Sequence, residues 1–171
     1  MAEPRVRIRP IVPADESALR ALFVRLSPET VRQRFFRYWR RLPDDWFHHF
    51  SHVDYVQRLA LVAEVDAPDG PRVVGVARYE PGEQEGRAEV AVVVEDAWQG
   101  RGIGRRLLSA LLEAARARGI RRFHADVLAD NQRMLTLIRR VGEVESVRVE
   151  FGVAEVDFVS REPAGSGGAG R

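Results

Sequence analysis

The hydrophobic pattern changes period twice along the chain. In the first third, apolar residues stand three and four positions apart, as on one face of a helix, after a short alternating strand. From Arg58 the period falls to two, and after Gly102 helical and strand segments alternate. The predicted strands are 5–9, 58–65, 72–79, 88–95, 120–128, 144–150 and 153–159, and the predicted helices are 16–26, 28–42, 45–50, 102–118 and 131–141. This order predicts one α+β domain over 5–160, followed by a disordered glycine-rich tail over 161–171.

Composition narrows the class of protein. Of the 171 residues, 45% are hydrophobic and 30% are charged, which is typical of a folded soluble domain. No apolar run approaches the length of a membrane span, and 1–10 has no signal-peptide core, so a cytoplasmic protein with no membrane contact is predicted. The absence of cysteine excludes disulfides, thiolate metal ligands and cysteine nucleophiles.

The net charge and the histidines give weaker indications of function. All 27 lysine-plus-arginine positions are arginine and the net charge is only +2, which argues against a dedicated nucleic-acid binder. The arginines and aromatics of 32–41 fit an amphipathic helix with a basic outer face better than an RNA surface. His48, His49 and His52 lack other ligand types at metal spacing, so they are predicted to be packed or solvated, and no metal site is expected.

One segment combines an apolar strand, a glycine-rich loop and the start of a helix. Gly100, Gly102 and Gly104 allow backbone N–H groups to point inward, and with the positive end of the helix they form a cradle for a pyrophosphate. Neighbouring arginines add positive charge: Arg101, Arg105 and Arg106. The spacing differs from that of a nucleotide P-loop or a dinucleotide fingerprint. A glycine-rich turn that binds nothing is the alternative.

The run Gln-Gly-Arg-Gly-Ile-Gly at 99–104 resembles the Q/R-x-x-G-x-G/A acetyl-CoA signature of the GNAT N-acetyltransferases. The likeness in element order covers about 7–159. It implies the GNAT fold, in which a mixed central sheet has helices on both faces, with acetyl-CoA as co-substrate and an amine as acceptor. The residues that it assigns to acetyl-CoA are Val92, Val93, Val94, Gln99, Gly100, Arg101, Gly102, Ile103, Gly104, Arg105 and Asn131.

The next helix follows a second pattern of the family, with two departures. Asn131, Met134 and Gly142 fall at the family's spacing, but Ile138 stands where many members have the tyrosine that protonates the departing thiolate. Glu143 replaces the aromatic residue after the glycine. Asn131 is equally well explained as a helix cap.

A narrower resemblance points to the acceptor. Segments 26–36, 53–55, 59–63 and 88–94 are similar to bacterial protein lysine acetyltransferases, which also lack the tyrosine acid. This likeness implies a protein lysine as acceptor and a place for Asp54 and Tyr55 beside the acceptor groove, although a structural role for that pair is as well supported. Two other functions stay open: acetylation of a small amine such as a polyamine or antibiotic, and a catalytically silent acyl-CoA sensor.

The reaction needs a base because an amine with a pKa near 10.4 is mostly protonated at neutral pH. Strand alternation puts Glu89 on the same face as Ala91 and Val93. There it would be a lone carboxylate beside small apolar neighbours, with a raised pKa. The resemblance gives Glu89 the position of the catalytic glutamate. An ordinary glutamate facing water is the alternative.

Overall fold

A seven-stranded sheet runs through the centre of the molecule, for which a computed structural model describes residues 2–161. The strands are β1 (Val6–Pro10), β2 (Leu59–Ala67), β3 (Gly70–Pro81), β4 (Ala88–Val94), β5 (Arg122–Leu128), β6 (Gly142–Glu150) and β7 (Val153–Ser160). The helices are α1 (Glu16–Arg25), α2 (Pro28–Phe35), α3 (Asp44–Ser51), α4 (Ile103–Ala117) and α5 (Gln132–Val141). The strand order is β1-β2-β3-β4-β5-β7-β6. Within 2–161 every neighbouring pair is antiparallel except β4 and β5, which are parallel.

Helices cover both faces of the sheet, as predicted. On one face α4 buries the stripe Leu107, Leu111 and Ala115, which repeats every four residues and is fully shielded from water. α5 joins it there through Leu135 and Ile138. On the other face α1 and α3 pack side chains such as Leu22 against β2 and β3. The expected α+β architecture, a mixed central sheet with helices on both faces, is confirmed.

The second helix is shorter than predicted. α2 ends at Phe35, because Phe36 adopts a left-handed φ of 65° and donates its N–H to the oxygen of Arg32. The chain then turns toward α3, where the Trp39 ring lies 5.4 Å from that of Trp46. Aromatic packing between elements therefore overrides the helical spacing that continues through Trp39. The prediction of one helix up to Pro43 is wrong.

Two other expectations concern membrane spans and the end of the chain. Among residues 2–161 no helix is both long enough and apolar enough to span a bilayer. The disordered tail expected over 161–171 lies, apart from Arg161, outside the described residues. That prediction and the domain boundaries of 5–160 stay predictions.

Candidate active site

An opening separates β4 from β5 in the middle of the sheet. The two strands are in register at only two positions, Ala88 with Phe123 and Glu89 with His124. Beyond these pairs they diverge around a cavity of about 540 Å³. Its wall is formed by α2 on one face of the sheet and by the start of α4 together with α5 on the other. The opening thus connects the two faces.

Nearly all the residues predicted to bind the cofactor line this opening. Those on its wall are Val92, Val93, Val94, Gln99, Gly100, Gly102, Ile103, Gly104, Arg105 and Asn131. Arg101 is not on the wall, and its guanidinium lies 4.8 Å from the centre of the Trp98 ring. Glu89 is not on the wall either, although it directly precedes the part of β4 that is.

Backbone N–H groups of β4 face the opening at alternate residues. The N–H of Glu95 donates to the oxygen of Val74 on β3 at 2.8 Å. Alternation along the strand then directs the N–H of Val93 toward β3 as well, and those of Val92 and Val94 toward the opening. The Val93 side chain packs on the α1–α3 face of the sheet. Val92 and Val94 are therefore the residues with N–H donors free of the β3 ladder.

The amino end of α4 has an uncompensated positive charge. Its cap is Gly102, which has a φ of 80° and contributes no side-chain hydrogen bond, and its first turn holds no acidic residue. A Cβ added at Gly102 would meet no protein atom within 4 Å, so backbone conformation rather than crowding calls for glycine there. Exposed Arg105 adds a second positive charge. Positive side chains destabilise a helix at its amino end, so a bound anion would stabilise this turn.

Gln99 locks the loop that leads into α4. Its amide nitrogen donates to the oxygen of Val94 at 2.9 Å and to Oγ1 of Thr30 at 3.2 Å. Its amide oxygen accepts from Arg133 at 2.7 Å. These bonds use both ends of the amide to join β4, α2 and α5, so Gln99 holds the wall of the opening in shape.

Asp96 provides a second link between the loop and α2, which sequence reasoning missed. Its carboxylate accepts hydrogen bonds from the N–H of Ser27 at 2.9 Å and from the hydroxyls of Ser27 and Thr30. Burial alone would raise the pKa of Asp96, but these hydrogen bonds outweigh it and lower that pKa. Asp96 and Ser27 are 69 residues apart, so only the tertiary fold reveals the pair.

Glu89 has charged neighbours, which corrects the expectation of a lone carboxylate. It is exposed at the surface, in register with Glu80 on β3 and His124 on β5. Its pKa is raised, first by the partial loss of water and then by the charge of Asp126, while His124 acts in the opposite direction. Glu80 and Glu83 add to the upward shift. The predicted direction of the shift is therefore right, but its cause includes other acids.

His124 is held between two carboxylates. Its Nε2 lies 2.8 Å from Oδ1 of Asp126, and its Nδ1 lies 2.8 Å from Oδ1 of Asp157. Burial would lower the pKa of His124, but the hydrogen bonds to Asp157 and Asp126 exceed that effect and raise it. Asp126 lines the opening and is the one acidic residue on that wall among the described residues. Sequence reasoning missed both side chains, although their spacing of two on a strand signals a shared face.

His48, His49 and His52 lie close together at the protein surface. The rings of His48 and His52 stack with centroids 3.8 Å apart, and Nε2 of His49 lies 3.3 Å from Glu80. All three histidines are exposed, so of the two predicted states, packed or solvated, these contacts lie at the solvated surface. Ligand atoms of His124, Asp126 and Glu155 lie within 4.8 Å of one another, but both ring nitrogens of His124 already face carboxylates. The expectation that the protein needs no metal stays a prediction.

α5 presents no acid group where many family members have one. Ile138 is fully buried in the core, and the described wall of the opening includes no tyrosine. The hydroxyls of Tyr55 and Tyr79 donate instead to the backbone oxygens of Ile11 and Val56. Asn131 accepts from the N–H of Met134 at 3.2 Å and so caps α5, as one of its two proposed roles required.

Asp54 and Tyr55 have structural contacts. Oδ1 of Asp54 accepts hydrogen bonds from three successive backbone N–H groups, those of Val56, Gln57 and Arg58. These bonds close the turn that leads into β2, and Tyr55 takes a left-handed φ of 64° within it. The structural reading of the pair is the one that these contacts support.

Three arginines on the wall were missed or misplaced by sequence reasoning. Arg133 and Arg140 stand seven residues apart on α5, and that helical spacing could have revealed their shared face. Arg34 was expected on a basic outer face, but it stacks over Phe35 at 4.7 Å and borders the opening. Burial lowers the pKa of Arg34 to about 10. Within the described chain the wall therefore has three arginines on the side of α4 and α5, namely Arg105, Arg133 and Arg140, and one, Arg34, on the side of α2.

Comparison with known proteins agrees with this architecture. Residues 19–142 match the model of the acetyltransferase (GNAT) family. Acetyltransferase Pat of Mycolicibacterium smegmatis is 34% identical over 162 residues, which are 91% of this chain and 48% of that protein. Acetyltransferase PA5475 of Pseudomonas aeruginosa is 33% identical over 139 residues, which are 81% of this chain and 75% of that protein. The solved GNAT domain of S. lividans PAT superposes with a TM-score of 0.78 at 34% identity, covering 90% of each chain. This chain spans about half the length of Pat.

Proposed function

Because this chain belongs to the GNAT family of acetyltransferases, we propose that it transfers acetyl from acetyl-CoA to a primary amine, namely the side chain of a protein lysine. The observation that carries the proposal is the opening between β4 and β5, which connects a cationic cradle on one face to Asp126 on the other, with Glu89 just outside it. A thioester and an amine can meet in such a passage from opposite faces of the sheet.

The donor side fits an anionic ligand with a long flexible arm. In the proposal the pyrophosphate binds the N–H groups of 100–105 at the uncapped end of α4. The arm enters between the strands, where the N–H of Val92 or Val94 polarises the thioester carbonyl. Arg133 and Arg140 add positive charge along the same wall. Gln99 keeps the loop in place through its bonds to Val94 and Arg133.

The chemical step needs a base more than an acid. In the proposal Glu89, whose pKa is raised, takes a proton from the ammonium, directly or through water, and the freed amine attacks the carbonyl. The C–S bond breaks, CoA leaves as a thiolate, and the nitrogen loses its second proton to water as the amide forms. A thiol pKa near 8.5 makes that thiolate a tolerable leaving group, and water can protonate it afterwards. The buried Ile138 is compatible with this route.

The acceptor side favours a cation. Glu89 and Asp126 stand beside the opening, with Glu80 and Glu83 close enough to influence Glu89. These charges attract an ammonium group and suit a lysine side chain, which presents one at the end of a long stem. They also suit a polyamine or an antibiotic that bears an amine, so turnover with each class of acceptor distinguishes these substrates.

Turnover of acetyl-CoA against a panel of acceptors tests the proposed function. We expect release of CoA with acyl-CoA synthetases or other lysine-bearing proteins. Each acetylated lysine should gain about 42 Da, because the acetyl group replaces one hydrogen. The chain contains no lysine, so lysine acetylation of the enzyme itself cannot obscure the signal. Turnover with small amines alone would identify a small-molecule enzyme. Tight binding of acetyl-CoA with no turnover would favour the silent sensor.

The pH profile provides a further prediction. Because Glu89 must be ionised and its pKa is raised, kcat/KM should rise with pH through a limb above the ordinary glutamate value. It should then stay level, because Glu89 itself removes the proton of the ammonium, with no falling limb before about pH 9.5 because no enzyme acid is required. A falling limb below that pH would contradict this, above all if changing Tyr38, Tyr55 or Tyr79 to phenylalanine removed it.

A further inference from the structure

A row of polar side chains crosses the sheet beside Glu89. Strand register aligns Glu80, Glu89, His124, Asp157 and Ser146, one residue from each of five neighbouring strands. Residues in register point to the same face of a sheet. Glu89 therefore lies beside an ordered hydrogen-bonded network that includes His124, rather than beside an isolated histidine.

The network has a defined direction. The Ser146 hydroxyl donates to Oδ2 of Asp157 at 3.3 Å, Oδ1 of Asp157 faces Nδ1 of His124, and Nε2 of His124 faces Oδ1 of Asp126. Because carboxylates only accept, both nitrogens can donate at once only in the imidazolium form, which the raised pKa of His124 favours. The ring cannot rotate without breaking both contacts. The last member of the network, Asp126, is the acidic residue on the wall of the opening.

We propose that Asp126 binds the ammonium group of the acceptor, and that His124 and Asp157 position Asp126 for this task. The inference rests on the proposed function and deepens it, because it divides the work between two carboxylates. Asp126 receives the cation and Glu89 takes its proton. His124 and Asp157 touch neither reactant and are positioning residues.

Geometry supports this division. His124 engages Oδ1 of Asp126, so Oδ2 can accept a charge-assisted hydrogen bond from an ammonium. Two carboxylates and one imidazolium leave the cluster Asp126–His124–Asp157 with a net negative charge. Asp126 borders the opening where the thioester is proposed to lie, whereas Glu89 stands just outside it. An ammonium held by Asp126 is thus presented between the acyl donor and the base.

Neutralising Asp126 tests its role in acceptor binding. For Asp126→Asn we expect KM for the cationic acceptor to rise about 10- to 100-fold, the effect of losing a hydrogen bond to a charged group, with a smaller change in kcat. Glu113→Gln, which neutralises an exposed acid on α4, is the matched control. Asp157→Asn should raise KM by a smaller factor, because it loosens Asp126 only through His124.

Opposite shifts in pH dependence separate this role from a merely structural one. The groups that face Glu89 are Glu80 from β3, Glu83 from the following loop, Asp126 and His124 from β5, and Arg34 from α2. Asp126→Asn removes a charge that raises the pKa of Glu89, so the rising limb should move to lower pH. His124→Asn removes a charge that lowers it, so the limb should move to higher pH. His48→Asn is the matched control. Shifts in the same direction would overturn the proposal.

A binding experiment gives an answer that does not depend on turnover. With the CoA-saturated protein, NMR titration compares a lysine peptide with the same peptide carrying neutral norleucine. We expect the native protein to prefer lysine and Asp126→Asn to lose that preference. An active enzyme with unchanged KM and unchanged preference in Asp126→Asn would refute this inference and leave the proposed function intact. If no amine is acetylated, the proposed function fails. The binding experiment then tests the inference alone: a preference for lysine that Asp126→Asn loses supports it, and a preference that Asp126→Asn keeps refutes it.

Discussion

Gly102→Glu is expected to abolish acetyl-CoA binding while leaving the protein folded. The new carboxylate would occupy the amino end of α4, where no side chain caps the helix and where the pyrophosphate is proposed to bind. It would complement the positive helix end and exclude a second anion. The strain of a φ near 80° costs about 1–2 kcal/mol for a residue with a Cβ, which a folded domain tolerates. Calorimetric titration with acetyl-CoA is the measurement.

Gly119→Glu is the matched control for this experiment. Gly119 follows the other end of α4, has the same φ of 80°, and has no protein atom within 4 Å of an added Cβ. A glutamate there has the same backbone strain and is less favourable for the helix, because it lies at the negative end. The control should bind acetyl-CoA normally. Equal affinity of Gly102→Glu and the native protein would remove the pyrophosphate from this loop.

Glu89→Gln should lower turnover by about 10²- to 10⁴-fold, the range typical of a lost general base. The amide keeps the shape of the side chain but cannot accept a proton, so the fold and the affinity for acetyl-CoA should not change. Steady-state kinetics at neutral pH, with calorimetry on the same protein, measures both properties. Glu113→Gln, an exposed position on α4, controls for loss of charge alone.

The rising limb of the pH profile gives the second part of this test. In the native enzyme the limb should lie above the ordinary glutamate range because loss of water and Asp126 raise the pKa of Glu89. In Glu89→Gln that limb should disappear, leaving only the titration of the amine. Turnover within a factor of a few of native would show that another group, or water alone, removes the proton.

The sequence alone established the order of elements and the position of the glycine-rich loop. The stripe of Leu107, Leu111 and Ala115 predicted α4, and the loop 99–104 before it marked the proposed anion site, because both signals depend on residues close in the chain. Local spacing failed where distant packing decided the outcome. Trp39 continues the helical pattern of α2, but contact with Trp46 draws it out of the helix.

The tertiary structure decided what surrounds the reacting groups. β4 and β5 diverge after their two paired positions, and the alternation of residues 88–95 gives no sign of this divergence. The roles proposed for Asp126 and His124 depend on β7, which brings Asp157 into register with His124 from 33 residues away. The alternation of side chains along β4 predicts which face Glu89 occupies, but the charges that shift its pKa belong to neighbouring strands and a neighbouring loop. The sequence determines the faces of each element, since these follow from period, whereas the neighbours on a face follow from strand pairing over long distances along the chain.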